Sequence, residues 1–158
     1  MTTTTNMLES LTRILNEGYG DGAWHGPDMK AALADVQADA AFRRPAAGRH
    51  NIAEIALHHA YCVRAVRAQL TGGPPEPFVL DGEDWFALEN GRPLSWPQVV
   101  ATVAEEQRRL ADIVARIDNG GRPAIAANDT LNVVLGITCH AAYHAGQIQL
   151  VKRMLEPA

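Results

Sequence analysis

The sequence predicts an all-α protein built as a four-helix bundle, on two observations. Four long stretches place apolar residues at the three-and-four spacing of a single helix face, and no stretch shows the apolar-polar alternation of β-branched residues that a half-buried strand needs. Clusters of glycine and proline lie between the four and stop each helix. With 158 residues, 47% of them apolar and 20% charged, the chain can bury one core and is too apolar to stay disordered. A single domain over residues 1–158 is therefore expected.

The first helix is expected from about Asn6 to Glu17, with Met7, Leu8, Leu11, Ile14 and Leu15 as its buried stripe and Gly18, Gly20 and Gly22 at its end. A loop through Trp24 and His25 leads to a short helix from about Asp28 to Asp35 and a further turn to Phe42, before breaks at Pro45 and Gly48. The second long helix runs from about Ile52 to Gln69. Asn51 is its cap, Glu54 stands three residues on as in a capping box, and Ile52, Ile55, Val63, Val66 and Leu70 form the stripe. The connection from Thr71 to Leu94 is rich in proline and glycine. At about 3.3 Å per extended residue it can run the length of a helix of about 30 Å and let the second and third helices lie parallel. Trp85 and Phe86 are expected to pin it to the core.

Ser95-Trp96-Pro97-Gln98 starts the third helix: a serine cap, a first-turn proline and a glutamine that can reach back. Its stripe runs from Val99 to Ile117, and Glu105, Glu106, Arg108 and Arg109 read as a solvated face. The fourth helix is expected to be capped by Asn128 or Asp129 and to run through Leu131, Val134, Leu135, Ile137, Ile148 and Val151 to Leu155. Lys152 and Arg153 complement its dipole.

The charge balance excludes one class of partner. A net charge of -4 with no basic run gives no concentrated positive face for phosphates, so nucleic acid is not expected. No signal peptide and no apolar run of membrane-spanning length is read, so no membrane partner is expected. Cys62 and Cys139 make neither a disulfide framework nor a zinc ribbon, which points to a reduced, cytoplasmic setting.

The chemistry concentrates in His140-Ala141-Ala142-Tyr143-His144-Ala145-Gly146-Gln147-Ile148. Two histidines four apart on a helix are rotated by only about 40° and stand about 6 Å apart along the axis, so one rigid element can offer two nitrogens to one metal. Gln147 lies on nearly the same face. No carboxylate stands between the histidines, so this is not the zinc-protease pattern with its built-in base. A third ligand must come from elsewhere. His58 and His59 sit half-way along the second long helix, but they are about 100° apart, and periodicity does not separate them. Cys62, four residues after His58, is a candidate thiolate ligand, but the commoner reading for it, and the one for Cys139, is a small packed residue. Asp84, Tyr61 and Tyr143 stand near these positions in sequence or on the long loop, and nothing in the sequence assigns them a role.

Four stretches together resemble the DinB/YfiT-like superfamily of metal-dependent bundle proteins. They are Ala23-Trp24-His25-Gly26-Pro27, the run from Gly48 to His58, Glu83-Asp84-Trp85, and the run from His140 to Ile148. The last is the most specific. The resemblance implies an up-down-down-up bundle with a long crossover between the second and third helices. It also implies a metal held by His58, His140 and His144, which resolves the choice between His58 and His59 by likeness and not by spacing. Three imidazoles leave a coordination position open, as in catalytic sites, and suit Zn, Ni or Fe without naming one. Gln147 is then a candidate to orient a ligand or hold bound water. His25, in its glycine-rich loop, is a candidate general acid or base, against the plainer reading of a loop histidine packed on Trp24. The function implied is a divalent-metal-dependent enzyme acting on a small-molecule substrate. It would be an S-transferase using a low-molecular-weight thiol, or a hydrolase. The alternative is a non-catalytic, stress-associated ligand-binding bundle or dimerisation scaffold, and homodimers are common in such a family.

Overall fold

The computed structural model describes residues 3–20 and 22–157, with side chains from Leu11 onward. It is all-helical: α1 (Thr3–Gly18), α2 (Met29–Ala34), α3 (Ala38–Phe42), α4 (Ile52–Thr71), α5 (Trp96–Asp118) and α6 (Ala127–Leu155). No strand occurs among the described residues. None of the helices is long and apolar enough to cross a membrane.

The four long helices pack in a ring: α4 lies against α5 and α6, and α1 lies against the same two from the other side. The apolar stripes merge into two buried clusters. One joins the N-terminal halves of α4 and α5 to the C-terminal half of α6, with α2, α3 and the long loop added through Met29, Leu33, Phe86 and Leu88. The other joins Leu11 and Leu15 of α1 to Val63 and Leu70 of α4, Leu110 to Ile117 of α5, and Val134 and Ile137 of α6. Met7 and Leu8, expected on the first stripe, fall outside the described side chains. Gly18 is needed for close approach: a Cβ there would stand 2.9 Å from that of Ala141, so the end of α1 can lie directly on α6.

The helix starts follow local chemistry with two exceptions. Asp28 caps α2 by accepting from the Ala31 N–H, and Gln98 Oε1 accepts from the Ser95 N–H at 2.8 Å at the head of α5. Asn51 accepts from the Glu54 N–H at 2.9 Å, but the Glu54 carboxylate does not return to Asn51 as a capping box requires. It is 2% exposed and takes both Nη atoms of Arg44, the Leu88 N–H and His50 Nδ1. α6 begins ahead of the expected caps, at Ala127 after Ala126, and Thr130 Oγ1 satisfies the Ala126 carbonyl.

Four packing expectations need correction. Glu106 belongs to the interior, paired with Arg67, while Glu105 and Arg108 stay outside with Asp112. Leu135 is exposed rather than part of the α6 stripe. Cys139 is exposed, not packed. Trp85 is 36% exposed and only Phe86 of that pair enters the core. The reason for the last lies at the site.

Candidate metal centre

Two latches place the long loop. Asn51 Nδ2 donates to the Leu88 carbonyl at 2.7 Å and to that of Phe42 at 3.2 Å, and Glu54 holds the Leu88 N–H at 3.1 Å. Phe86 and Phe78 close against Tyr61 with ring centroids 5.3–5.6 Å apart. Fixed at these points, the loop lays Asp84 and Trp85 across α4. Trp85 is sandwiched between His50, 3.8 Å away, and His58, 4.0 Å away, both stacked nearly parallel to it. An indole with its faces covered by imidazoles and its edge in solvent accounts for its partial exposure.

α4 and α6 bring four imidazoles together. His58 lies 5.2 Å from His140 and 4.9 Å from His144, ring to ring, and His140 lies 4.3 Å from His144. The hydrogen bonds orient them. His58 Nδ1 is 3.0 Å from both the carbonyl and the carboxylate of Asp84, which holds a left-handed backbone conformation with φ of 64°. Both oxygens only accept, so Nδ1 carries a proton, and in the neutral ring Nε2 presents a lone pair. His144 Nδ1 is 2.7 Å from Gln147 Oε1, and the same logic leaves its Nε2 bare.

His140 Nε2 stands 3.1 Å from that of His144, while its Nδ1 stands 3.0 Å from Nδ1 of His59. Two proton arrangements satisfy these distances. If His59 donates to His140, then His140 donates onward to His144. If His140 donates to His59, the Nε2 atoms of His140 and His144 are two bare lone pairs 3.1 Å apart, which a shared cation would reconcile. Nitrogens sharing one tetrahedral metal, with bonds of about 2.0–2.1 Å, stand about 3.3 Å apart, close to the separation of the His140 and His144 atoms. His59 is 1% exposed and its Nε2 has no partner among the described residues. The 3.1 Å His140–His144 spacing and the oxygen acceptors on Nδ1 of His58 and His144 fit a metal.

Electrostatics keep the rings in the ligating form. Burial, reinforced by the neighbouring imidazoles, holds His59 well below the ordinary range and pulls His140 down to about 4. Burial also lowers His144, against the bond from Gln147. These rings are neutral at pH 7, as metal binding requires. Cys62, one turn beyond His58, has its thiol pushed up to about 11 by burial and by Asp84.

Residues 23–148 match the DinB superfamily. The chain belongs to that superfamily. No curated protein and no solved structure matches it. In this DinB-superfamily chain the positions His58, His140 and His144 meet at one place, with Gln147 on His144. The His25 position does not join them among the described contacts. Its ring is exposed, its Nε2 sits 2.7 Å from the Glu17 carbonyl, and the neighbouring Trp24 is 93% exposed rather than packed on it. Spacing shows that His58 and His59 cannot both face one metal, and family likeness, not spacing, puts His58 there and His59 aside. The same 100° offset aims His59 at the outer nitrogen of His140. Asp84 and Trp85 lie in one of the family-like stretches, but nothing local assigns them a place at the site, because a long loop delivers them.

Proposed function

We propose that the chain is a divalent-metal-dependent enzyme in an up-down-down-up bundle. His58, His140 and His144 hold the ion through Nε2 and leave one position for the reacting group. The observation that carries this reading is ring orientation: the Nδ1 atoms of His58 and His144 are tied outward to oxygen acceptors, and Nε2 atoms face inward. The topology is supported by the two clusters, which pair like halves of α4 and α5 with the opposite half of α6. It is supported also by α1, where Thr12 bonds Asp118 at the end of α5 and Gly18 touches Thr138 half-way along α6.

When bound, the metal supplies a Lewis acid that lowers the pKa of a thiol or water on the open position, with Zn, Ni and Fe all suited to imidazole. The chain's own residues do the rest. Asp84 and Gln147 fix the tautomers of His58 and His144, His59 backs His140, and Trp85 covers the face of His58. The family resemblance favours S-transfer from a low-molecular-weight thiol, with hydrolysis as the neighbouring reaction. His25 has no part in this machinery. The test is metal analysis of purified protein and of His144→Ala. One equivalent of metal, lost in the variant, is the expected result. Wild-type protein that takes up no zinc and melts identically with zinc or chelator overturns the reading.

A further inference from the structure

The fourth coordination position has a neighbour on the chain itself. Cys62 lies one helical turn after His58 on α4, so both side chains leave the same face. Its Sγ is 3.9 Å from His58 Nε2, on the inward side of that ring and not on the Asp84 side. The ligating atoms of His58, Cys62 and His140 all lie within 4.8 Å of one another. A sulfur and a nitrogen sharing a tetrahedral metal, with bonds of about 2.3 and 2.0 Å, stand about 3.5 Å apart, so the sulfur is within about 0.4 Å of that spacing from His58 and must close on the α6 histidines by a side-chain rotation. Cys62 is partly buried; Cys139, the only other cysteine, is exposed.

We propose that Cys62 is the fourth protein ligand of the resting centre, giving a three-histidine, one-cysteine set. This rests on the three-histidine reading above and names what fills its fourth position before substrate arrives. As the sulfur–metal bond forms, the thiol proton leaves to solvent. Nothing is oxidised or reduced, and the charge of the centre falls by one. An incoming thiol or water then enters by displacing Cys62, and the displaced sulfur stays within reach to close the site again. A thiolate also shifts preference toward zinc and other thiophilic ions over harder ones.

Cobalt in place of zinc reads this directly. Wild-type protein loaded with one equivalent of Co(II) is expected to show both the visible bands of a four-coordinate ion and a sulfur-to-cobalt charge-transfer band in the near ultraviolet. Cys62→Ser keeps the visible bands, loses the charge-transfer band and binds zinc at least about tenfold more weakly, whereas Cys139→Ser changes neither. A second reading needs no variant: Cys62 is alkylated by iodoacetamide more slowly in zinc-loaded than in chelator-treated protein, while Cys139 is alkylated at the same rate in both. Cobalt bound with no charge-transfer band, or alkylation of Cys62 at the same rate with zinc as with chelator, overturns the Cys62 assignment and leaves the histidine centre standing. Wild-type protein that takes up no cobalt overturns both.

Discussion

Two buried polar groups stand on α4, nine residues and so about 13 Å apart along the axis, and they are satisfied in opposite ways. At Arg67 the charges close on themselves. Its guanidinium meets Glu106 at 2.9 Å and Glu76 at 3.4 Å, Glu76 also takes Arg109, and the Arg67 and Glu106 side chains are only 7% and 10% exposed. At His58 the chain gathers neutral imidazoles with ring nitrogens close together, and Nε2 of His59 has no partner among the described residues. An ion pair that is complete without a ligand is explained by folding alone. A cluster of neutral imidazoles turned toward one another is what the proposed metal site would use. On the proposed reading the same helix carries one element of structure and one of function, and the hydrogen bonds separate them better than burial does.

The largest effect expected from this contrast is on the structural side. Arg67→Ala leaves Glu106 charged and buried, and should lower stability by about 3–5 kcal/mol and Tm by roughly 10 °C, while zinc affinity stays within about twofold. Denaturant unfolding and zinc titration of the variant check both halves. A large loss of zinc binding with it would erase the distinction between the two clusters.

The site should show the reverse pattern with a smaller effect. His59→Leu removes the partner that His140 Nδ1 has among the described residues, so zinc affinity should fall about 10–100-fold. Metal-free stability should hold or rise, because an unpartnered buried nitrogen goes with the ring. Metal-free melting and competitive zinc titration are the measurements. A drop in metal-free stability as large as that of Arg67→Ala would make His59 a structural residue.

Why some of this was legible beforehand follows from range in sequence. The helices announce themselves through repeating apolar spacing and through caps such as Asn51 and Ser95, all written within a few residues. His140, His144 and Gln147 are likewise a local pattern on one helix face. Choosing His58 over His59 needed likeness to a family, since both border the same apolar stripe and both are buried. Long-range contacts were not legible. Asp84 meets His58 across 26 positions, and Glu106 meets Arg67 across 39, so Glu106 read as part of a solvated run although it faces inward. Cys139 was misjudged for a related reason. Its neighbour His140 points to the site, but the fourth helix has a solvent face at Leu135, Cys139 and Tyr143 that spacing alone did not mark.

The smallest expected effect is on pH dependence, and it belongs to the histidine cluster. His140 titrates near 4 in the fold, where burial comes first among the causes and the charges of His144 and His58 add to it; in the unfolded chain it titrates near the ordinary value of 6.5. Above pH 6.5 neither state binds a proton on this ring, so it gives no slope. Between 6.5 and about 4 the unfolded chain binds more protons, so each step down in pH favours unfolding. With chelator present, wild-type protein should therefore lose stability from pH 7 to pH 5, and His140→Ala should lose less over the same window. Saturating zinc should steepen the wild-type dependence, because the ion binds the neutral rings and protons compete with it. Denaturation midpoints at three pH values, with and without zinc, give four curves. If the two metal-free curves fall in parallel, the neutral-base character of the cluster is not what distinguishes it from the Arg67 pair.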